Sequence, residues 1–182
     1  MKEVNAMNWT QLLKHEIENA YSTTEKLLDK VDPATLDWKP ATGANWMTVS
    51  QLLKHIAEAC GVGCQAFVTD EWGLPPGKTW ADLAPEEIFP PAEKMPSIES
   101  LEQVKADLAK DKALALAMID KAGENDLTNK QVAAPWAPAK KAALGYQLLN
   151  MVHHLERHKA QLFYYLKLQG KPVNTMDLWG EP

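Results

Sequence analysis

Four stretches of this 182-residue chain return an apolar side chain every three or four positions, a period that suits helices and excludes half-buried strands. From Asn8 to Val31 these positions are Trp9, Leu13, Ile17, Ala20, Leu27 and Val31. A second stretch opens at Thr48, where Gln51 three residues later completes a capping box, and continues through Val49, Leu53, Ile56, Cys60, Gly63 and Phe67. Ser97 is the expected N-cap of the third, striped by Leu101, Val104, Leu108, Ala115, Ile119 and Ala122 until Gly123 interrupts it. The fourth runs from about Ala139 to Gln169 and meets a stop signal at Gly170, Lys171 and Pro172. No segment shows strand alternation. The expected fold is all-α, a four-helix bundle that buries the four stripes against one another. With 46% hydrophobic residues the chain can supply one sizeable core, so a single domain over residues 1–182 is expected.

Between helices two and three the chain carries Pro75, Pro76, Pro85, Pro90, Pro91 and Pro96, each lacking the donor a continuous helix needs. Trp72, Leu74, Trp80, Leu83, Ile88 and Phe89 lie among them, and disordered segments are depleted in such residues. A long, ordered, proline-rich connection lying over the bundle follows. A second proline-marked loop, AAPWAPAKK, precedes helix four.

Charge narrows the partners. Nineteen Lys and Arg against 24 Asp and Glu give a formal net charge of −5, which offers nothing to phosphate backbones or anionic lipid. Nucleic acid and membrane are therefore not expected as partners. The opening MKEVNAMNWTQ has no apolar run of signal-peptide length, and no stretch has the apolar length of a bilayer span, so a cytoplasmic location is expected. Cys60 and Cys64, spaced i,i+4, match neither a zinc knuckle nor a Cys-x-x-Cys redox motif, and small buried thiols are the expected state.

The segment MVHHLERHKAQLFYYL places three of the five histidines within six positions, and helical geometry separates them. Relative to the stripe of Leu148, Val152, Leu155, Leu162 and Leu166, His153 lies about 160° away while His154 and His158 lie about 60 to 100° to one side. His153 belongs to the outer surface. His154 and His158 stack one turn apart on a flank, where two imidazoles can reach one ion. His55 lies about 100° from the centre of the helix-two stripe, again on a flank, and His15 falls opposite the stripe of helix one. Three imidazoles with a position left over is what catalytic metal sites use. Solvated or core-edge histidines fit the same spacing, and the residues alone leave both readings open.

The stretch TVSQLLKHIAEA after a tryptophan loop, together with LLKHEIENAYSTTEKLL in helix one, HHLERHKAQLFYYLKLQGKPV near the end and the tail VNTMDLWG, resembles the DinB-like (DinB/YfiT) superfamily of four-helix-bundle metalloproteins. The resemblance covers almost the whole chain and rests on the order and spacing of short motifs. It implies a divalent metal held by one histidine of helix two and two of the last helix, here His55, His154 and His158. The family's final ligand commonly precedes Arg-Gly-Gln; this chain has Lys159, Ala160 and Gln161, which keeps the glutamine and enlarges the small residue. Imidazole suits zinc, nickel, iron and copper alike; zinc or nickel is the expected ion, with iron as a further candidate. Because ligand histidines must be neutral, metal release on acidification through about pH 6 is expected.

The resemblance also implies an activity. Several relatives are thiol-dependent transferases or isomerases that use bacillithiol, mycothiol or glutathione, so a metal-dependent thiol S-transferase acting on an electrophilic substrate is the leading expectation. The alternatives are metal-assisted hydrolysis and a non-catalytic metal-binding or stress-response protein. Relatives are often dimers, and a homodimer is expected. Gln161 and Tyr165 share the histidine flank and are candidates to orient a substrate, with interfacial packing as the plainer role for Tyr165; Glu58, one turn beyond His55, is a candidate base or a surface charge. Trp46, Trp72, Trp80, Trp136 and Trp179, in loops or the tail, either wall a pocket over the metal or pin the loops.

Overall fold

The computed structural model describes residues 7–180; residues 1–6, which begin the opening segment without a signal-length apolar run, and 181–182 lie outside the described residues. Helix α1, Trp9–Leu28, starts at the N-cap Asn8, whose side-chain oxygen accepts the Gln11 backbone N–H while its own backbone N–H donates to the Gln11 side-chain oxygen. Its buried face includes Leu13, Ile17, Ala20, Tyr21, Leu27 and Leu28. The helix ends three residues before Val31, which still reaches the core from the following turn.

The second stripe does not form one helix. Helix α2, Val49–Ile56, opens with the expected Thr48–Gln51 capping box, and the chain breaks over residues 57–60 before α3, Gly61–Thr69. The cause lies on α5, Leu101–Asn129, whose buried Asp111 takes the backbone N–H of Cys60 at 3.2 Å, Gly61 at 2.9 Å and Val62 at 2.9 Å. A carboxylate that claims the first donors of a helix creates a helix start there. A Cβ on Gly61 would overlap the Asp111 backbone oxygen, so only glycine fits at the crossing. The apolar stripe runs through the break because α2 and α3 bury the same side, with Leu53, Ile56, Cys60, Cys64 and Phe67 all buried.

The third helix also starts later than expected. Ser100, not Ser97, is its N-cap, accepting from the Gln103 N–H at 3.2 Å. The Ser50 hydroxyl of α2 donates to the Ile98 carbonyl at 3.0 Å and accepts the Ile98 N–H at 3.1 Å, so residue 98 is bound to another helix and cannot begin its own. At Gly123 the backbone turns to φ +66°, as the interrupted pattern anticipated, and the next residue, Glu124, accepts the N–H of Trp9 at 3.1 Å and of Thr10 at 2.9 Å.

The proline-rich connection contains the four-residue helix α4, Pro85–Ile88, flanked by single 3₁₀ turns at Trp80–Asp82 and Ala92–Lys94. Gln51 fastens it to α2 by donating to the carbonyls of Glu93 and Met95. Contrary to the expectation of no strands, Gln131–Val132 (β1) and Ala142–Ala143 (β2) pair antiparallel on either side of the AAPWAPAKK loop. Two residues are too short to show alternation. This pairing delays helix α6 to Leu144–Leu168, and Gly170, at φ +75°, ends it where expected. The tail forms α7, Thr175–Trp179, against α1 and α6.

The fold is thus an all-α helical bundle in which α1, the α2–α3 pair, α5 and α6 share one core. Among the described residues no helix is long and apolar enough to cross a membrane.

Candidate metal centre

His55 occupies the last turn of α2, and His154 and His158 sit one turn apart in the middle of α6. The packing of α2 on α6 brings their rings together edge to face. The His55 Nε2 lies 3.1 Å from the Nε2 of His154 and 3.1 Å from that of His158, and the three ligand atoms all fall within 4.8 Å of one another. Imidazole nitrogens sharing one tetrahedral ion at about 2.0–2.1 Å would stand about 3.3 Å apart, so the spacing fits a common cation. All three rings are half-buried, whereas His15 and His153 are exposed as their helical phase predicted.

The outer nitrogens determine what the inner ones can do. The Nδ1 of His154 lies 3.0 Å from the carbonyl oxygen of Ala59, an acceptor only, so Nδ1 carries the proton and Nε2 presents a lone pair to the cluster. Ala59 belongs to the break between α2 and α3, so the same interruption that Asp111 imposes also supplies this acceptor. On His158, Nδ1 meets the Gln161 side-chain oxygen at 3.1 Å.

Electrostatics act in the same direction. Burial, followed by the neighbouring His158 and His154, pushes His55 down to about 4. Burial also lowers His154 and His158, opposed by their contacts to Ala59 and Gln161. The ordinary imidazole value is about 6.5, so at neutral pH all three rings are uncharged, the form that binds metal. The His55 Nε2 lies within hydrogen-bond distance of both other Nε2 atoms, so either a proton on it or a shared cation satisfies the converging lone pairs, and the cluster could hold a metal ion.

Other candidates take plainer places. Glu58 pairs with Lys54 and does not join the three imidazoles. Cys60 and Cys64 are buried free thiols with sulfurs 4.0 Å apart, and the Cys60 contact followed by burial pushes Cys64 well above the ordinary thiol value. Trp72, Trp80 and Trp136 gather edge to face with Phe67 and Phe89, beside a cavity of about 270 Å³ lined by Phe67, Asp70, Trp72 and residues 130–133. That cavity has no histidine of the cluster in its wall. These aromatics pin the connection to the bundle, and Trp179 is 72% exposed.

Asp111 is not among the residues singled out from the sequence, although a carboxylate one turn from Leu108 and Ala115 on the apolar stripe is the available signal. It also accepts the Tyr21 hydroxyl at 2.6 Å, and burial raises its pKa against those hydrogen bonds. Lys159, in the enlarged Lys-Ala-Gln segment, is buried; it ties α6 to Thr23 of α1 at 2.9 Å and pairs with Glu156 of its own helix at 2.7 Å.

A helical bundle carrying three converging imidazoles that could hold a metal ion defines a class of protein. The DinB superfamily model matches residues 16–162, which include all three histidines, and the chain belongs to that superfamily. No curated protein matches it.

Proposed function

We propose that His55, His154 and His158 hold a divalent ion, zinc or nickel before iron, and that the protein is a metal-dependent thiol S-transferase of the cytoplasm. The convergence of three neutral Nε2 atoms from two helices carries this reading. Three protein nitrogens leave a tetrahedral ion one open position, and an ion there would supply Lewis acidity that makes a small-molecule thiol ionise near neutral pH.

The chain's own groups suit thiol chemistry better than water activation. Among the described residues no carboxylate joins the three imidazoles, and Glu58 is engaged with Lys54, so a hydrolytic general base is not supplied from that side. A thiol needs no such base, since its proton leaves to solvent before its sulfur displaces the leaving group of the electrophile. The protein's own thiols are buried and do not compete for the position.

Elemental analysis of untagged protein tests the metal: one ion per chain is expected, and His55→Ala or His158→Ala should lose it. Consumption of bacillithiol, mycothiol or glutathione with a chlorinated aromatic electrophile tests the reaction. Turnover of ester or amide probes without thiol would replace it with hydrolysis, and metal binding with neither activity would leave a metal-binding protein.

A further inference from the structure

Gln161 stands between His158 and Tyr165, and its amide must face one way for all the groups around it to be satisfied. The chain enters α2 through Met47, whose carbonyl oxygen lies 3.1 Å from the Tyr165 hydroxyl. A carbonyl only accepts, so the tyrosine donates its single proton there and keeps its lone pairs for Gln161. The Gln161 amide nitrogen donates into them across 3.3 Å. The amide oxygen is then the atom left for His158, and the His158 Nδ1, 3.1 Å away, must carry a proton. Its lone pair consequently sits on Nε2, the atom that faces His55. Were the amide reversed, two acceptors would compete for the one hydroxyl proton, and a buried acceptor would go without a partner.

The geometry points to Tyr165 as a positioning residue for the metal centre: acting through Gln161, it sets the tautomer of His158 and hence the nitrogen with which that residue ligates. This role rests on the metal-site reading above. The ring is held independently of the hydroxyl, packed edge to face against Trp38 at 5.3 Å and Trp46 at 6.3 Å, so removing the oxygen leaves the side chain in place. Both α6 imidazoles thereby take their proton placement from main-chain carbonyls on either side of α2, His154 from Ala59 directly and His158 from Met47 through two side chains.

The test compares wild-type protein, Tyr165→Phe, Gln161→Glu and the double variant. Long-range ¹H–¹⁵N correlation spectra of the metal-free proteins at pH 8 read the His158 tautomer, and chelator competition gives the zinc dissociation constant. In Tyr165→Phe the Nδ1–H form should mix with the Nε2–H form and zinc should bind about tenfold more weakly. Glutamate at 161 offers acceptor oxygens whichever way it turns, so in that background the Tyr165→Phe change should have no effect on either readout. An unchanged tautomer and zinc constant in Tyr165→Phe would overturn the role, as would a loss that Gln161→Glu does not restore. If Tyr165→Phe does not fold, Gln161→Met breaks the same connection and should show the same two changes; their absence would be equally fatal. Wild-type protein that binds none of zinc, nickel and iron overturns the metal-site reading, and this role with it. Zinc bound by wild type with the tautomer unmoved in the variants overturns this role alone.

Discussion

Asp111 of α5 and Gly61 of α3 meet with the carboxylate 2.9 Å from the glycine N–H and no room for a side chain between them. That contact starts α3 and bends the chain at Ala59. Asp111→Ala would leave three backbone donors and the Tyr21 hydroxyl without their buried acceptor, and should cost roughly 2–4 kcal/mol. Asp111→Asn, which keeps one acceptor oxygen, should cost less, and Gly61→Ala about 1–3 kcal/mol through overlap. Urea unfolding measures all three; a change for Asp111→Ala of a few tenths of a kcal/mol would contradict this account of the break.

Substitution should divide the five histidines into two groups. His55→Ala, His154→Ala and His158→Ala should each weaken zinc binding by about 100-fold or more, since removing a ligand exceeds the cost of removing its supporting partner. His15→Ala and His153→Ala, both exposed, should bind as the wild type does. Equal losses at His153 and His154 would show that helical phase does not decide which imidazoles ligate.

Acidification should act below the range expected of a free imidazole. In the metal-free protein His55 is pushed down to about 4, and His154 and His158 are also lowered from an unfolded value near 6.5. A depressed histidine pKa means the unfolded chain binds protons first, so stability is fully present above about pH 6.5 and is lost as pH falls toward about 4. Metal should survive at pH 6 and leave over the same lower window, in place of the release through pH 6 that ordinary imidazoles predict. Dialysis at stepped pH followed by elemental analysis, beside thermal melts of metal-free protein, checks both; full release by pH 6 would refute the lowering.

Ser50→Ala should loosen the proline-rich connection without touching the histidines. The buried Ser50 hydroxyl both accepts from and donates to the Ile98 main chain, and its loss leaves two buried groups unpaired, worth about 1–3 kcal/mol. Limited proteolysis should then cut between residues 70 and 100 faster than in the wild type. An unaltered cleavage rate would mean that Gln51 and the tryptophan cluster suffice.

Much of this was legible in the residues, and the exceptions share a cause. The stripes of α1, α5 and α6, the Thr48–Gln51 box and the stop at Gly170 are local signals within a few positions of one another. The helical phases of His15, His55, His153, His154 and His158 depend on local geometry too, and each ring lies where its phase puts it. The division of helix two does not, because Asp111, about fifty residues downstream, imposes it while the apolar period continues undisturbed. The shift of the α5 start from Ser97 to Ser100 likewise depends on Ser50 in another helix. Ala59 and Met47 act through carbonyl oxygens, which every residue possesses, so no side-chain pattern could mark them.

The break at Ala59 bears on how small a working copy of this centre can be made. A peptide hairpin joining α2 to α6 would contain all three imidazoles, yet lack the aspartate that turns the chain so that a carbonyl greets His154. Any miniature built from this fold must therefore carry the α5 crossing or an engineered substitute for it, and transplanting the histidines alone would yield rings free to spin.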